Sequence, residues 1–81
     1  MNNRNIVGSR VCQARKEAVP PITQADLVAR LQVLGIMIDQ STLSKIENQQ
    51  RPVTDIMVVA LARALKVSVV WLLGEGGSTI E

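Results

Sequence analysis

An all-α domain of five short helices is what this sequence predicts. Its apolar residues recur at helical spacing, Thr23, Asp39, Thr54 and Ser68 each stand just before such a run as ready N-caps, and the core-forming side chains are aliphatic, Trp71 being the sole aromatic in 81 residues. A β-sandwich of this size would lean on several aromatics and on turn signals every ~8 to 12 residues, and neither is present. The length fits one domain, expected over residues 6–74, followed by a flexible tail at 75–81 in which Gly and polar residues prevail.

The first helix follows from Ile6, Val7, Val11, Ala14 and Ala18 on one face, with Arg10, Arg15, Lys16 and Glu17 on the others. Pro20-Pro21 ends it at Ala18 or Val19, because proline disfavours helical geometry in the residue before it. Cys12, on this helix, reads as a small buried hydrophobe. Thr23 caps the second helix, which starts at Gln24; Asp26 offsets the positive end of the helix dipole, and Leu27, Val28, Leu31 and Leu34 form the apolar stripe. Gly35 suits the left-handed position that closes many helices.

Ile36-Met37-Ile38 is too short and apolar for a solvated loop and is expected to cross the core before Asp39 caps the third helix. There only Leu43 and Ile46 are strongly apolar, so two anchors hold a helix whose remaining surface, Gln40, Ser41, Ser44, Lys45 and Asn48, is polar and mostly uncharged. After the loop Gln49-Gln50-Arg51-Pro52-Val53, Thr54 caps a fourth helix that is apolar on nearly every side from Ile56 to Leu65 and reads as the buried centre of the domain. Ser68 caps a last short helix, Val69 to Leu73.

Composition removes several functions. One cysteine cannot form an intramolecular disulfide, and with no histidine no conventional zinc site or His-based catalysis can be assembled. The remaining carboxylates, Lys, Ser and Thr form no nucleophile and base pair and no phosphate loop, so neither an enzyme nor a cofactor is expected. No apolar run approaches the ~18 residues of a membrane span and the N-terminus lacks a signal-peptide stretch, so a cytoplasmic protein is expected. The net charge is +2, with Glu75 and Glu81 in the tail, a balance compatible with a nucleic-acid partner.

A mostly polar helix held by two anchors is what a major groove ~12 Å wide admits, with the preceding helix crossing the backbone. The stretches Thr23-Gln24-Ala25-Asp26-Leu27, Ser41-Thr42-Leu43-Ser44-Lys45-Ile46-Glu47-Asn48, Ala60-Leu61-Ala62-Arg63-Ala64-Leu65 and Ser68-Val69-Val70-Trp71-Leu72-Leu73 resemble the Cro/repressor-type (XRE-type) helix-turn-helix domain over roughly residues 6 to 74. The resemblance implies a five-helix, phage-repressor-like fold with the helix-turn-helix at helices two and three, and a transcriptional repressor or autoregulator that binds double-stranded DNA. It implies that Gln40, Ser41 and Lys45 face the bases, with Ser44 one turn away able to join them. Gln24 at the start of helix two is expected on a backbone phosphate, with Asn48, Arg51, Thr54 and Arg10 as further phosphate contacts. Arg15 and Glu47 match the family's structural ion pair.

The sequence departs from the family pattern at Gln49, where glycine is common in a left-handed turn, so that either Asn48 or Gln49 takes that conformation. Lys66 likewise replaces a common glycine after helix four and suggests a different end there. The Gly35 to Asp39 connection is longer than in the shortest members, and Pro20-Pro21 lengthens the first link. Val69, Val70 and Leu73 exceed what a short last helix needs for its own core, which points to a self-complementary patch and a homodimer. The alternative function is a protein-interaction module, such as an antitoxin or an anti-repressor partner on the same fold; the absence of an apolar or aromatic centre on helix three favours DNA.

Overall fold

The computed structural model describes residues 5–74; the tail expected at 75–81 lies outside the described residues. Five helices follow in order: α1 Gly8–Glu17, α2 Gln24–Val33, α3 Gln40–Glu47, α4 Asp55–Leu65 and α5 Val69–Leu72. There is no strand among the described residues.

The expected caps form. The Thr23 side chain accepts from the Asp26 amide while the Asp26 carboxylate accepts from the Thr23 amide, a reciprocal capping box. Asp39 accepts from the Thr42 amide, Thr54 from Met57 and Ser68 from Trp71. Each closes an otherwise orphaned donor of a first turn. The helix ends close by one device used three times. After α2, Gly35 at φ 88° lets the Ile36 amide donate to the Leu31 carbonyl and its own amide to Gln32. After α3 the left-handed residue is Gln49 rather than Asn48, with Gln50 donating to Lys45 and Gln49 to Ile46. After α4 it is Lys66, with Val67 donating to Ala62 and Lys66 to Arg63. The missing glycine therefore does not change how α4 ends; it puts a lysine in the left-handed position, at φ 60°.

The core gathers Val7, Val11, Leu27, Leu31, Leu43, Leu61 and Leu72, all fully buried, around α4, which packs against α1, α2 and α5. Each such side chain contributes roughly 1.5–3 kcal/mol of transfer free energy. Arg30 of α2 donates through Nη1 to the Ala64 carbonyl at 3.0 Å, tying the end of α4 to α2.

Four expectations about burial are corrected. Ile6 is exposed, because α1 starts later, at Gly8, and the preceding turn directs it away from the core. Met37 is exposed between half-buried Ile36 and Ile38, so the connection lays only alternate side chains on the core. Helix α4 is not buried all round: Ile56 and Val59 stand on a side that no other element covers. Cys12 is half-buried rather than enclosed by apolar groups; its sulfur accepts from Arg15 Nη2 at 3.8 Å. For the patch expected on α5, Val69 and Leu73 are half-buried against the core and Val70 is exposed.

Candidate nucleic-acid interface

Helix α3 owes its position to two contacts with the start of the chain. Asn5 is 4% exposed and bonds in four directions. Its Oδ1 accepts from the Val7 and Gly8 amides at 3.1 and 2.8 Å, and its Nδ2 donates to the carbonyls of Ile46 at 2.7 Å and Arg51 at 3.0 Å. One side chain thus caps α1, seats the end of α3 and fixes the loop beyond it. Gly8 is the second contact. A Cβ there would collide with the Ile46 carbonyl oxygen, so glycine is what allows α1 to cross α3 at backbone distance. Sequence reasoning missed both residues. The available signal was the spacing Asn5-x-x-Gly8, an N-cap type three residues before the first close-packed helical residue.

On the opposite edge α3 is held by a polar network. Arg15 donates through Nε and Nη2 to both carboxylate oxygens of Glu47, each at 2.8 Å, and through Nη1 to the Ile22 carbonyl at 3.1 Å. The two side chains are 11% and 5% exposed. This bidentate pair joins α1 to the end of α3, as the resemblance implied. Burial pushes the Glu47 carboxyl up, but the hydrogen bonds from Arg15 and Gln24 and the Arg15 charge outweigh it and hold it below the usual range. The hydrogen bond to Glu47 in turn raises Arg15.

Gln24 extends the network to the outer face of α3. Its Nε2 donates to Glu47 Oε1 at 3.1 Å, and its Oε1 accepts from Gln40 Nε2 at 3.3 Å. Gln40 and Glu47 lie seven residues apart, two turns along one face of α3. Gln24, at the first turn of α2, spans them. A sequence cannot announce such a bond, because it depends on how α2 crosses α3.

Gln40, Ser41 and Lys45 are exposed on α3 and Ser44 is half-buried. Leu43 and Ile46, both buried, anchor the helix from below. Asn48, Arg51 and Thr54 are exposed where α3 ends and α4 begins; Thr54 spends its hydroxyl oxygen on the Met57 amide, while Arg51 accepts from Asn5 through its carbonyl and its guanidinium makes no ion pair among the described residues. Arg10 is placed elsewhere. Its guanidinium lies 4.9 Å from the centre of the Trp71 ring, a cation–π contact that joins α1 to α5 and sets it apart from the other expected phosphate contacts. Asp26 and Asp39 are held below the usual carboxylate range, chiefly by the amides of Thr23 and Thr42.

Among the described residues no group of three or more His, Cys, Asp or Glu could hold a metal ion, and no helix is long and apolar enough to cross a membrane. No curated protein and no solved structure matches the chain. A helix-turn-helix family model matches residues 22–72, from the residue before the Thr23 cap to the end of α5. With α2 packed across α3, a two-anchor third helix and a match over more than half its length, this chain belongs to the Cro/repressor-type (XRE-type) helix-turn-helix family of DNA-binding regulators.

Proposed function

We propose that this protein is a sequence-specific regulator, a repressor or autoregulator, that inserts α3 into the major groove of double-stranded DNA as a homodimer. The observation that carries this reading is the outer face of α3: Gln40, Ser41 and Lys45 stand exposed on a helix whose buried side is locked by Leu43, Ile46 and the Glu47 network. Glutamine can pair bidentately with adenine, and lysine can donate to guanine O6 or N7, each good bidentate pair discriminating by ~1 to 3 kcal/mol. Ser44 contributes a shorter hydroxyl beside them. The first-turn amides of α2 and α4, with Gln24, Thr54, Asn48 and Arg51, bind phosphates on either side and set the depth of insertion. In a two-fold dimer the paired α3 helices enter successive major grooves, ~34 Å apart.

Fluorescence anisotropy with fragments flanking the gene and with scrambled duplex, across ~50 to 200 mM salt, tests the reading. One flanking fragment should bind tightly with a steep salt slope. Gln40→Ala and Lys45→Ala should each erode the preference over scrambled DNA, whereas Arg51→Ala should weaken both duplexes alike and lower the slope by about one. Binding no better than to scrambled duplex, by a folded protein, would remove the base-reading role.

A further inference from the structure

An uncovered apolar surface lies along α4 and the end of α2. Val33 is 86% exposed and Ile56 67%, and Leu34 and Val59 are exposed beside them. Leu34, Ile36, Ile56, Val59 and Ala60 line a groove between the two helices, with Asp55 and Arg63 at its margins, and Val33 stands next to Leu34 outside it. A domain of this size seldom leaves such a contiguous patch without a use.

We propose that this groove is where a second copy of the chain docks, α4 against α4 in antiparallel fashion about a two-fold axis at Val59. Three observations select a second copy as the occupant. The exposed residues Ile56, Val59 and Arg63 recur at spacings of three and four and so share one face of α4, open for another helix to pack along it. Val59 lies midway between Asp55 and Arg63, so an antiparallel copy centred there brings each Asp55 opposite the partner's Arg63, ~6 Å to either side of the axis at ~1.5 Å rise per residue. Among the described residues Asp55 and Arg63 have no ion-pair partner, since Arg15 and Glu47 form the one such pair there. The surface is thus complementary to itself in charge as well as in apolar character, as an isologous interface requires. The bond from Arg30 to the Ala64 carbonyl makes the groove a fixed feature between α2 and α4. The partner's Ile56 then seats between Leu34 and Val59.

This inference rests on the dimeric reading above and assigns its face to α4, where sequence reasoning looked to α5. Sedimentation equilibrium of the full 81-residue chain without DNA tests it, so that the result does not depend on base recognition. Wild type should show a concentration-dependent monomer–dimer mass. Val59→Asp should be monomeric at the same concentrations with an unchanged helical circular-dichroism spectrum, and Val70→Asp should dimerise as wild type does. Asp55→Arg and Arg63→Asp should each raise the dimer dissociation constant about tenfold or more, because each sets two like-charge pairs across the axis, and the double reversal should recover most of the loss. Three results would overturn the proposal: a wild-type monomer throughout, a dimer insensitive to Val59→Asp, or a double reversal no better than the singles. Loss of base discrimination in Gln40→Ala with the mass unchanged would bear on the reading face alone.

Discussion

Asn5 is the residue on which the position of α3 most directly depends, and its chemistry allows a sharp test. Replacing it by alanine removes the acceptor used by the Val7 and Gly8 amides and the donor used by the Ile46 and Arg51 carbonyls. The lost cap costs ~1 kcal/mol. Stripping two carbonyls of their partner, at a side chain 4% exposed, adds ~1–3 kcal/mol. A total of about 2–4 kcal/mol is expected, which lowers the melting temperature by roughly 10–25 °C for a domain of this length. Aspartate separates the two halves of the role. It caps a helix as well as asparagine does, so Asn5→Asp keeps the bonds to Val7 and Gly8. It also turns the amide nitrogen into a carboxylate oxygen that faces two carbonyl oxygens. At neutral pH Asn5→Asp should therefore be at least as destabilised as Asn5→Ala. That carboxyl has a folded-state pKa above its unfolded value, so its penalty is small at low pH and grows as pH climbs past the unfolded value of ~3.9. Urea titrations of the three proteins at neutral pH and near pH 4 read both effects. An Asn5→Asp protein as stable as wild type at neutral pH would refute the reasoning, since it would mean that the bonds to Ile46 and Arg51 hold nothing in place.

Other perturbations follow from the same bonds. Glu47 has a depressed folded-state pKa, so the stability it contributes is complete above the unfolded carboxyl value of ~4.3 and is lost as pH falls through the folded value. Asp26 and Asp39 share that sign. Glu47→Gln should cost about 1–3 kcal/mol at neutral pH and flatten the acid limb of urea-derived stability; an acid limb as steep as that of wild type would count against the role assigned to the pair. Lys66→Gly should stabilise by about 0.5–1 kcal/mol, because a left-handed side-chain residue costs ~1–2 kcal/mol and glycine returns ~0.5–1 of that as backbone entropy. Gln49→Gly gains the same relief but forfeits the 3.2 Å bond from Gln49 Nε2 to the Asn5 carbonyl, so thermal melts should find it near neutral while Lys66→Gly melts higher.

Where structure is written in single residues, the sequence was legible. Thr23, Asp39, Thr54 and Ser68 each cap the helix they precede, and Gly35 takes the left-handed position expected of it. These are local chemistries that need no knowledge of the rest of the fold. The start of α1 was misplaced because Ile6 continues the apolar stripe in sequence, although the cap that sets the first turn is Asn5. Gly8 carried no visible reason to be glycine until α3 lay across it. The same holds for Ile56 and Val59: periodicity says which residues share a face of α4, but not which faces the other helices reach. Of the expected DNA contacts, Gln24 and Gln40 meet, and their meeting was illegible for the same reason. Arg10, expected among the phosphate contacts, lies with its guanidinium against the Trp71 ring of α5, a contact between helices that periodicity does not reveal.

Gln24 joins the ion pair that supports the fold to the outer face of α3 through the inventory of its amide. A glutamine side chain has two N–H donors and a carbonyl oxygen with two lone pairs. In this protein one donor is spent on Glu47 and the oxygen accepts from Gln40. The second donor stays available at the start of α2, where the helix dipole already favours an anion, and under the proposed function it takes a backbone phosphate. Gln40 in turn spends one donor on Gln24 and keeps its other donor and its oxygen, which is the pair needed to give to adenine N7 and accept from N6. Under the proposed function the phosphate contact, the base contact and the buried ion pair therefore form one chain of hydrogen bonds in which each donor hydrogen is used once, Glu47 Oε1 accepting from both Arg15 and Gln24. The Arg15–Glu47 pair then does more than hold α1 to α3: by orienting Gln24 it limits the rotamers open to Gln40, so that the ordering cost of a base contact is met in folding rather than at the moment of binding.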